Sequence, residues 1–303
     1  MQPCATEACC PASRCDNRGP MADDVPTMEL RASYLPATLD DLHDQLPGLE
    51  PERTVTDWGR SERVEGVVDK VVYEFLYRYW FRVEVEGIEN VADEEGVLLL
   101  ANHAGAVPPD GTMVVKAIRE EHPRPRAVHV LSGRQLSGVP GVGMLGTKLG
   151  RVPAHPANIQ RLLADERQVV LAFPEGAQGR AKPLKERYRL RPFDRGGLVR
   201  AALRAGAAIV PVAILGAEEA APVLLGISRS RLLDRLPRLP LTPPVPLPAK
   251  FRIRVLEPVP TGDLPPRSWK QENVVESLTE DIRALIQENL LELVAERRSV
   301  WLG

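Results

Sequence analysis

The sequence predicts an α/β fold in which a sheet is flanked by helices and preceded by a disordered tail. From residue 96 onward, short continuous apolar runs alternate with helical segments, a pattern typical of strands buried on both faces. The composition, 44% hydrophobic and 26% charged over 303 residues, is that of a globular protein with a substantial core. Residues 1 to 58 have little apolar periodicity, so we expect a mostly disordered tail there and a single folded domain over 59 to 303.

The first strong element is an amphipathic helix predicted over residues 61 to 80. Its apolar positions recur at helical spacing: Val64, Val67, Val68, Val71, Val72, Phe75, Leu76 and Tyr79. We expect this face to be buried, either against the protein body or in a membrane surface. The helix ends in "YRYWFR", whose aromatic and cationic residues suit a membrane interface, whereas its other face carries Glu62, Glu65, Asp69 and Glu74.

Strands and helices are then predicted in alternation. Strands are expected at 81–86, 96–101, 127–132, 168–173, 207–215 and 250–259, and helices at 111–121, 140–149, 196–206 and 271–297. Residues 222 to 248 hold seven prolines among leucines and valines, which excludes regular secondary structure. That segment is apolar enough that we expect it to lie across the body or to meet an apolar partner.

Charge and cysteine usage exclude several function classes. The formal net charge of -2 gives no support to a nucleic-acid partner. All four cysteines lie in the first fifteen residues, without a CxxC pair or a nearby histidine, so we expect no metal site and no disulfide in the folded body, as in the cytoplasm. No apolar run reaches about 18 residues, and the N-terminus lacks the regions of a signal peptide, so no spanning segment is predicted.

The first candidate motif is "LLLANHAGAVPPDGTMV", in which His103 follows a strand and Asp110 precedes a helix. A carboxylate that accepts the proton on one imidazole nitrogen leaves the other nitrogen free to take a proton from an alcohol. Two other interpretations stay open: Asp110 stands where a helix N-cap belongs, and a lone loop histidine is usually exposed. The chain has neither a GxSxG elbow nor a cysteine outside the tail, so a covalent acyl-enzyme is poorly supported.

The second candidate motif is "LAFPEGAQGRAKP", where Pro174 ends a strand and Glu175-Gly176 turn the chain. Backbone N–H groups in a Gly-containing turn, with Arg180 and Lys182 nearby, can cradle a phosphate. The alternative is a strand-ending turn with a solvated basic face. Residues 180 to 204 hold nine Lys/Arg against two acids, so an anionic ligand is expected near this segment.

Together the motifs resemble the lysophospholipid/glycerol-phosphate acyltransferase superfamily in order and spacing. The matching blocks are "NHAGAVPPD" (102–110), "GVPGVGMLGTKLGRVPAHP" (138–156), "FPEG" (173–176) and "IVPVAI" (209–214). The resemblance covers roughly residues 65 to 300 and implies a glycerol-phosphate acyltransferase-like mixed sheet. It also implies acyl transfer from an acyl thioester, either acyl-CoA or acyl carrier protein, to a hydroxyl of a glycerol-phosphate or lysophospholipid acceptor, with no further cofactor.

The resemblance assigns roles to individual residues. His103 would be the general base, Asp110 would orient it, and Asn102, Glu175 and Gly176 would belong to the substrate site. The basic segment from Arg180 to Arg195, which includes Lys182, is placed by charge alone, either as an extension of the anion site or as a site for CoA phosphates.

Two positions depart from the family pattern. Six residues separate His103 from Asp110, more than is usual in the family. The family's phosphate-binding arginine aligns with Pro156; Arg151, which we assign to the substrate site, stands five residues too early and Arg161 stands too late. This departure leaves open an acceptor other than lysophosphatidate.

Three hypotheses follow from these observations. The first is an acyl-CoA-dependent O-acyltransferase that acts peripherally at the cytoplasmic face of the inner membrane, in a bacterium to judge from the Arg-, Ala- and Pro-rich composition. The second is a lipid- or acyl-CoA-binding protein that has the fold but lost turnover. The third is a thioesterase or esterase in which water replaces the alcohol.

Overall fold

The computed structural model describes residues 55–104, 109–133, 141–194, 196–223, 243 and 245–302. The expected disordered tail lies outside the described residues except for its last four, and most of the proline-rich segment lies outside them as well. Residues 55–58 are anchored to the domain: Val55 pairs with Ser61 in an isolated bridge, and the Trp58 indole donates to Glu166 Oε2 at 2.7 Å.

A mixed sheet runs through the described part of the chain. Its seven strands are β1 Glu84–Glu86, β2 Val97–Ala101, β3 Val128–Ser132, β4 Arg151–Pro153, β5 Val169–Ala172, β6 Ala208–Leu215 and β7 Arg252–Val255. Their order is β1-β7-β6-β2-β5-β3-β4, and only the β6–β7 pair is antiparallel. The predicted mixed α/β sheet is therefore confirmed, whereas β4 had no counterpart among the predicted strands.

Continuous apolar strands form the centre of the sheet because helices cover both of its faces. Every residue of β2 is buried, and successive leucines alternate between two cores. Leu99 packs with Met113 and Phe81 on one face, while Leu100 packs with Leu163 on the other.

Helices flank this sheet on both sides. They are α1 Glu62–Val68 with π-helical continuations Asp69–Tyr73 and Leu76–Trp80, α2 Asp110–Glu121, α3 Val142–Lys148, α4 Pro156–Gln160 with a π-helical continuation Arg161–Asp165, α5 Gly176–Arg180, α6 Gly197–Ala205, α7 Ala217–Ala220 and α8 Glu272–Glu296. Short 3-10 turns span Ile88–Asn90, Leu184–Glu186 and Ser268–Lys270. The short helices α4, α5 and α7 escaped prediction because one to two turns give too few periodic positions.

The orientation of α1 corrects one of the two expectations for its apolar face. Val67, Val71 and Tyr79 are 58%, 70% and 68% exposed, and Val72 and Phe75 are exposed too, so this part of the face is not packed against the body. The acidic side is turned inward instead. Glu65 pairs with Arg60 at 2.7 Å, and Asp69 and Glu74 each pair with Lys116 of α2 at 2.8 Å.

Ion pairing explains this orientation. The Lys116 side chain is buried, and burial works to lower its pKa, but hydrogen bonds to Asp69, Glu120 and Glu74 outweigh that effect and raise the pKa. A buried ammonium without those carboxylates would be strongly unfavourable. The outward exposure of the α1 valines is therefore the consequence of neutralising a charge on α2.

Candidate active site

The two candidate motifs meet at the carboxyl ends of two neighbouring strands of the sheet. Strands β2 and β5 are parallel neighbours, with Leu100 opposite Ala172, so their carboxyl ends lie side by side. His103 follows the end of β2 by two residues, and Phe173-Pro174-Glu175 follows β5 directly. The topology thus brings together residues about seventy positions apart in sequence.

His103 and Asp110 form a hydrogen-bonded pair. Nδ1 of His103 lies 2.8 Å from Oδ2 of Asp110, and the Asp110 side chain is only 1% exposed. The carboxylate also accepts the Gly111 N–H at 2.6 Å and the Ala104 N–H at 3.2 Å. Because an ionised carboxylate only accepts, Nδ1 carries the proton of the neutral imidazole and Nε2 keeps its lone pair. The six intervening residues therefore do not prevent the contact.

The imidazole is held on its face as well as at its edge. The Phe173 ring stacks on it with 4.1 Å between centroids and 22° between planes. Close packing around the pair requires glycine at position 179, where a Cβ would lie only 2.7 Å from Cβ of Glu175. A Cβ on Gly111 would lie 3.3 Å from the Phe173 ring, which is also a tight contact. The His103 side chain retains 12% exposure, which leaves it open to a reactant on one side.

Glu175 holds the loop that carries His103. Its carboxylate is buried; Oε1 accepts the His103 N–H at 3.0 Å, and Oε2 accepts the Arg191 N–H at 2.7 Å. The Lys182 ammonium lies 3.1 Å from Oε2. With three donors directed at it, this carboxylate positions backbone and has little capacity left for a substrate.

Lys182 and Asn102 lie deeper than the sequence analysis expected. The Lys182 ammonium is buried between Glu175 and Glu218, the latter at 2.8 Å, and burial raises the pKa of Glu218. Asn102 exchanges two hydrogen bonds with the backbone of Ile214, at 2.8 and 2.7 Å, and so ties the end of β2 to β6. The polar atoms of both side chains are therefore engaged in buried contacts within the protein.

A cavity of about 660 Å³ opens onto the pair. Among the sequence-predicted residues, its wall includes His103, Asp110, Arg151, Glu175, Gly176 and Arg180. Sequence reasoning missed other wall residues, among them Glu65, Asp69, Tyr73, Lys116, Arg119, Val130, Leu131, Phe193, Asp194 and Leu198. Their sequence signal was weak, since several belong to α1 and α2, whose periodic pattern gives only an amphipathic helix.

The cavity wall includes both polar and apolar residues. Inner residues of α1, including Tyr73, are among the polar ones, and burial raises the pKa of the Tyr73 phenol. Asp194, on the same wall, also has its pKa raised by burial. Val130 and Leu131 of β3, Phe173 directly after β5, and Phe193 and Leu198 supply apolar surface. Such a cavity suits a molecule with a polar part and a hydrocarbon part.

No group of three or more His, Cys, Asp or Glu side chains in the described ranges is arranged to hold a metal ion.

Comparisons with known proteins agree with the motifs. The acyltransferase family matches residues 82 to 215, a range that contains both His103 and Glu175. An uncharacterized protein of Mycobacterium tuberculosis (strain ATCC 25618 / H37Rv) is 36% identical over 264 residues, 84% of this chain and 74% of the relative. An uncharacterized protein of Mycobacterium leprae (strain TN) is 36% identical over 289 residues, 92% of this chain and 77% of the relative.

A solved structure shares the fold. The crystal structure of the 1-acyl-sn-glycerophosphate (LPA) acyltransferase PlsC from Thermotoga maritima superposes with a TM-score of 0.51 at 20% identity, over 78% of this chain and 84% of that one. The motif blocks, the family match and the similarity of the relatives lead to one conclusion: the chain belongs to the acyltransferase family.

Proposed function

We propose that the protein transfers a fatty acyl group from an acyl thioester to a hydroxyl of a glycerol-phosphate or lysophospholipid acceptor. The observation that carries this proposal is the His103–Asp110 pair, 2.8 Å apart and open to a cavity lined by polar and apolar residues. In the described part of the chain His103 forms no hydrogen bond with a serine or cysteine side chain, which favours direct attack by the acceptor over a covalent acyl-enzyme.

The proposed step uses one proton and one acyl group. Nε2 of His103 takes the proton of the acceptor hydroxyl while the hydroxyl oxygen forms a bond to the carbonyl carbon of the thioester. When the tetrahedral intermediate collapses, the carbon–sulfur bond breaks and the imidazolium returns the proton to the leaving thiolate. Asp110 stabilises the imidazolium throughout, since its carboxylate already contacts Nδ1.

Two arginines support an anionic acceptor. Arg151 and Arg180 both line the cavity, and within the described residues neither forms an ion pair with a carboxylate. Guanidinium groups bind phosphate in bidentate fashion, so each of these arginines is a candidate to hold the acceptor phosphate in the cavity. Arg151 would then bind the phosphate in place of the arginine that the family carries at the position of Pro156. Glu175 contributes by fixing the His103 loop, and Gly176 contributes backbone to the wall.

The outward face of α1 supports peripheral attachment to a membrane. Exposed Val67, Val71, Phe75 and Tyr79 are accompanied by exposed Lys70, whereas Glu65, Asp69 and Glu74 are engaged with cations of the body. A helix with apolar and cationic groups outward lies well in the interface of an anionic bilayer. No helix of the described residues is long and apolar enough to cross a bilayer. Since the same helix lines the cavity, a lipid acceptor would have a short path to His103.

A thioester assay tests the proposal. Wild type, His103→Ala and Asp110→Asn are incubated with long-chain acyl-CoAs, with and without lysophosphatidate, glycerol 3-phosphate or a lysophospholipid, while free thiol and lipid product are followed. We expect acceptor-dependent thiol release that falls by about 100-fold or more in both variants, because one loses the base and the other its orientation.

Other outcomes separate the remaining hypotheses. Thiol release that needs no acceptor and depends on His103 would identify a thioesterase. Identical background in all three proteins, together with acyl-CoA binding, would identify a binding protein without turnover.

A further inference from the structure

A short exposed segment beside the cavity presents a row of cations. Between Leu184 and Leu190, exposure alternates along the chain. Lys185, Arg187 and Arg189 are exposed, and we call these three residues the basic row. Glu186 and Tyr188, which stand between them, are partly covered.

The backbone that carries the basic row is anchored by the buried Glu218 and the partly buried Gln287. The Tyr188 N–H donates to Glu218 Oε2 at 2.5 Å, and its carbonyl accepts from Gln287 Nε2 at 2.7 Å. The Leu190 N–H donates to Gln287 Oε1 at 2.8 Å. Tyr188 adopts a left-handed φ of 63°, which these contacts maintain. A ligand on the row would therefore have to order side chains only, and that lowers the entropic cost of binding.

The positive charge of the basic row is not neutralised by the residues described around it. Glu186, the acid of this segment, pairs with Arg191, and Arg187 lies over the Tyr188 ring with 5.3 Å to the centroid. Elsewhere on the surface, Arg252 and Arg254 are paired with Glu86 and Glu296. Exposed cations that are close together in the chain and lack ion-pair partners attract a polyanion.

The basic row lies next to the reacting centre. Arg180 and Pro192, at the two ends of the segment, both line the active-site cavity. Arg187 and Leu184 border a narrow cleft together with Gly179 and Ala104, the residue that follows His103. A ligand held by the row can therefore extend a flexible arm toward the imidazole.

We propose that the basic row binds the phosphates at the nucleotide end of an acyl-CoA donor. This inference rests on the proposed acyl transfer and adds the identity of the donor. Coenzyme A concentrates a diphosphate and a ribose phosphate within one small moiety, which matches three neighbouring cations. The pantetheine arm then places the thioester in the cavity.

Binding measured without turnover tests the proposal independently of catalysis. Adenosine 3′,5′-bisphosphate and free coenzyme A are titrated calorimetrically into the full chain and into the triple variant Lys185→Gln/Arg187→Gln/Arg189→Gln. We expect both ligands to bind the wild type and to lose about tenfold or more in affinity with the triple variant, because charge-assisted contacts to phosphate are removed. The matched control, Arg204→Gln/Lys270→Gln, removes two exposed cations from another surface and should bind like the wild type.

Kinetics with two donors then locate the effect. The triple variant should raise KM for acyl-CoA by about tenfold or more with little change in kcat, and it should leave turnover of acyl-pantetheine, which lacks the nucleotide, unchanged. Equal nucleotide binding by all three proteins would overturn the proposal, and so would a KM effect seen only with an acyl carrier protein. If the protein binds nucleotide through the basic row but transfers no acyl group to any acceptor, the proposed acyltransferase activity is wrong, whereas the assignment of the basic row as a nucleotide site stands.

Discussion

The side chains at this site differ in whether they line the cavity, hold neighbouring residues in place, or do both. His103 and Asp110 line the cavity, and Glu175 both lines it and holds the His103 backbone. Lys182 and Asn102 are engaged in buried contacts. The sequence indicated the His–Asp pair because the residue types suit proton transfer. It could not show that Glu175 is saturated by donors, since one donor comes from Arg191, whose position depends on a loop that Gln287 of α8 anchors.

A substitution of Lys182 distinguishes support from substrate binding. In Lys182→Met the carboxylates of Glu175 and Glu218 lose their shared counterion, so we expect a loss of about 3–5 kcal/mol in the free energy of unfolding, measured with urea. Glu218→Gln in the same chain should restore part of it. Lys185→Met, on the exposed surface, serves as the control and should stay within about 0.5 kcal/mol of wild type. Unchanged stability with a raised acceptor KM would instead return Lys182 to the substrate site.

Among the elements, α1 shows what an amphipathic sequence pattern can predict about a helix and what it cannot. The spacing of its valines predicted a helix over 61 to 80, and the structure is helical from Glu62 to Trp80. The pattern could not orient the helix, because Tyr77 and the half-buried Trp80 supply a second apolar surface. The orientation of α1 depends on Lys116 and Arg119, about fifty residues later in the chain. Their ion pairs with Asp69 and Glu65 place these acidic side chains on the inner face of the helix.

Charge placed on the outward face of α1 should detach the protein from lipid. We expect Val71→Asp/Phe75→Asp to reduce binding to anionic phosphatidylglycerol vesicles by about tenfold or more, measured by vesicle flotation, because the apolar insertion is lost and repulsion is added. Thermal stability should change little, since both side chains are exposed. Leu291→Asp, at an exposed apolar position of α8, is the control and should float like wild type. Undiminished flotation of the double variant would assign lipid contact to another surface.

At the scale of the whole molecule, the alternation of apolar runs with helices predicted the α/β sheet. It did not predict that β7 would run antiparallel to β6, nor that β1 would pair with β7, because neither pairing leaves a local signature. The three-residue strand β4 is similarly too short to register as a pattern.

Global stability should depend on pH through a buried histidine of β3. Burial, with a smaller contribution from Arg60, lowers the pKa of His129 from 6.5 to about 4. The unfolded chain therefore binds the extra proton between these values, so stability is complete above pH 6.5 and is lost as the pH falls toward 4. The shift corresponds to roughly 3 kcal/mol. In urea unfolding at pH 7 and pH 4.5, His129→Leu should lose less stability on acidification than wild type; parallel losses would contradict this origin.

The pairing of β1 with β7 also has a consequence for the time at which the protein can be completed. Glu84 pairs with Arg252, so the first of the described strands to be synthesised pairs with the last. At about 5–20 residues per second, the interval between the two is on the order of ten seconds. During that interval β1 lacks the strand that it pairs with in the folded protein. The described sheet is therefore completed only after β7 has been synthesised.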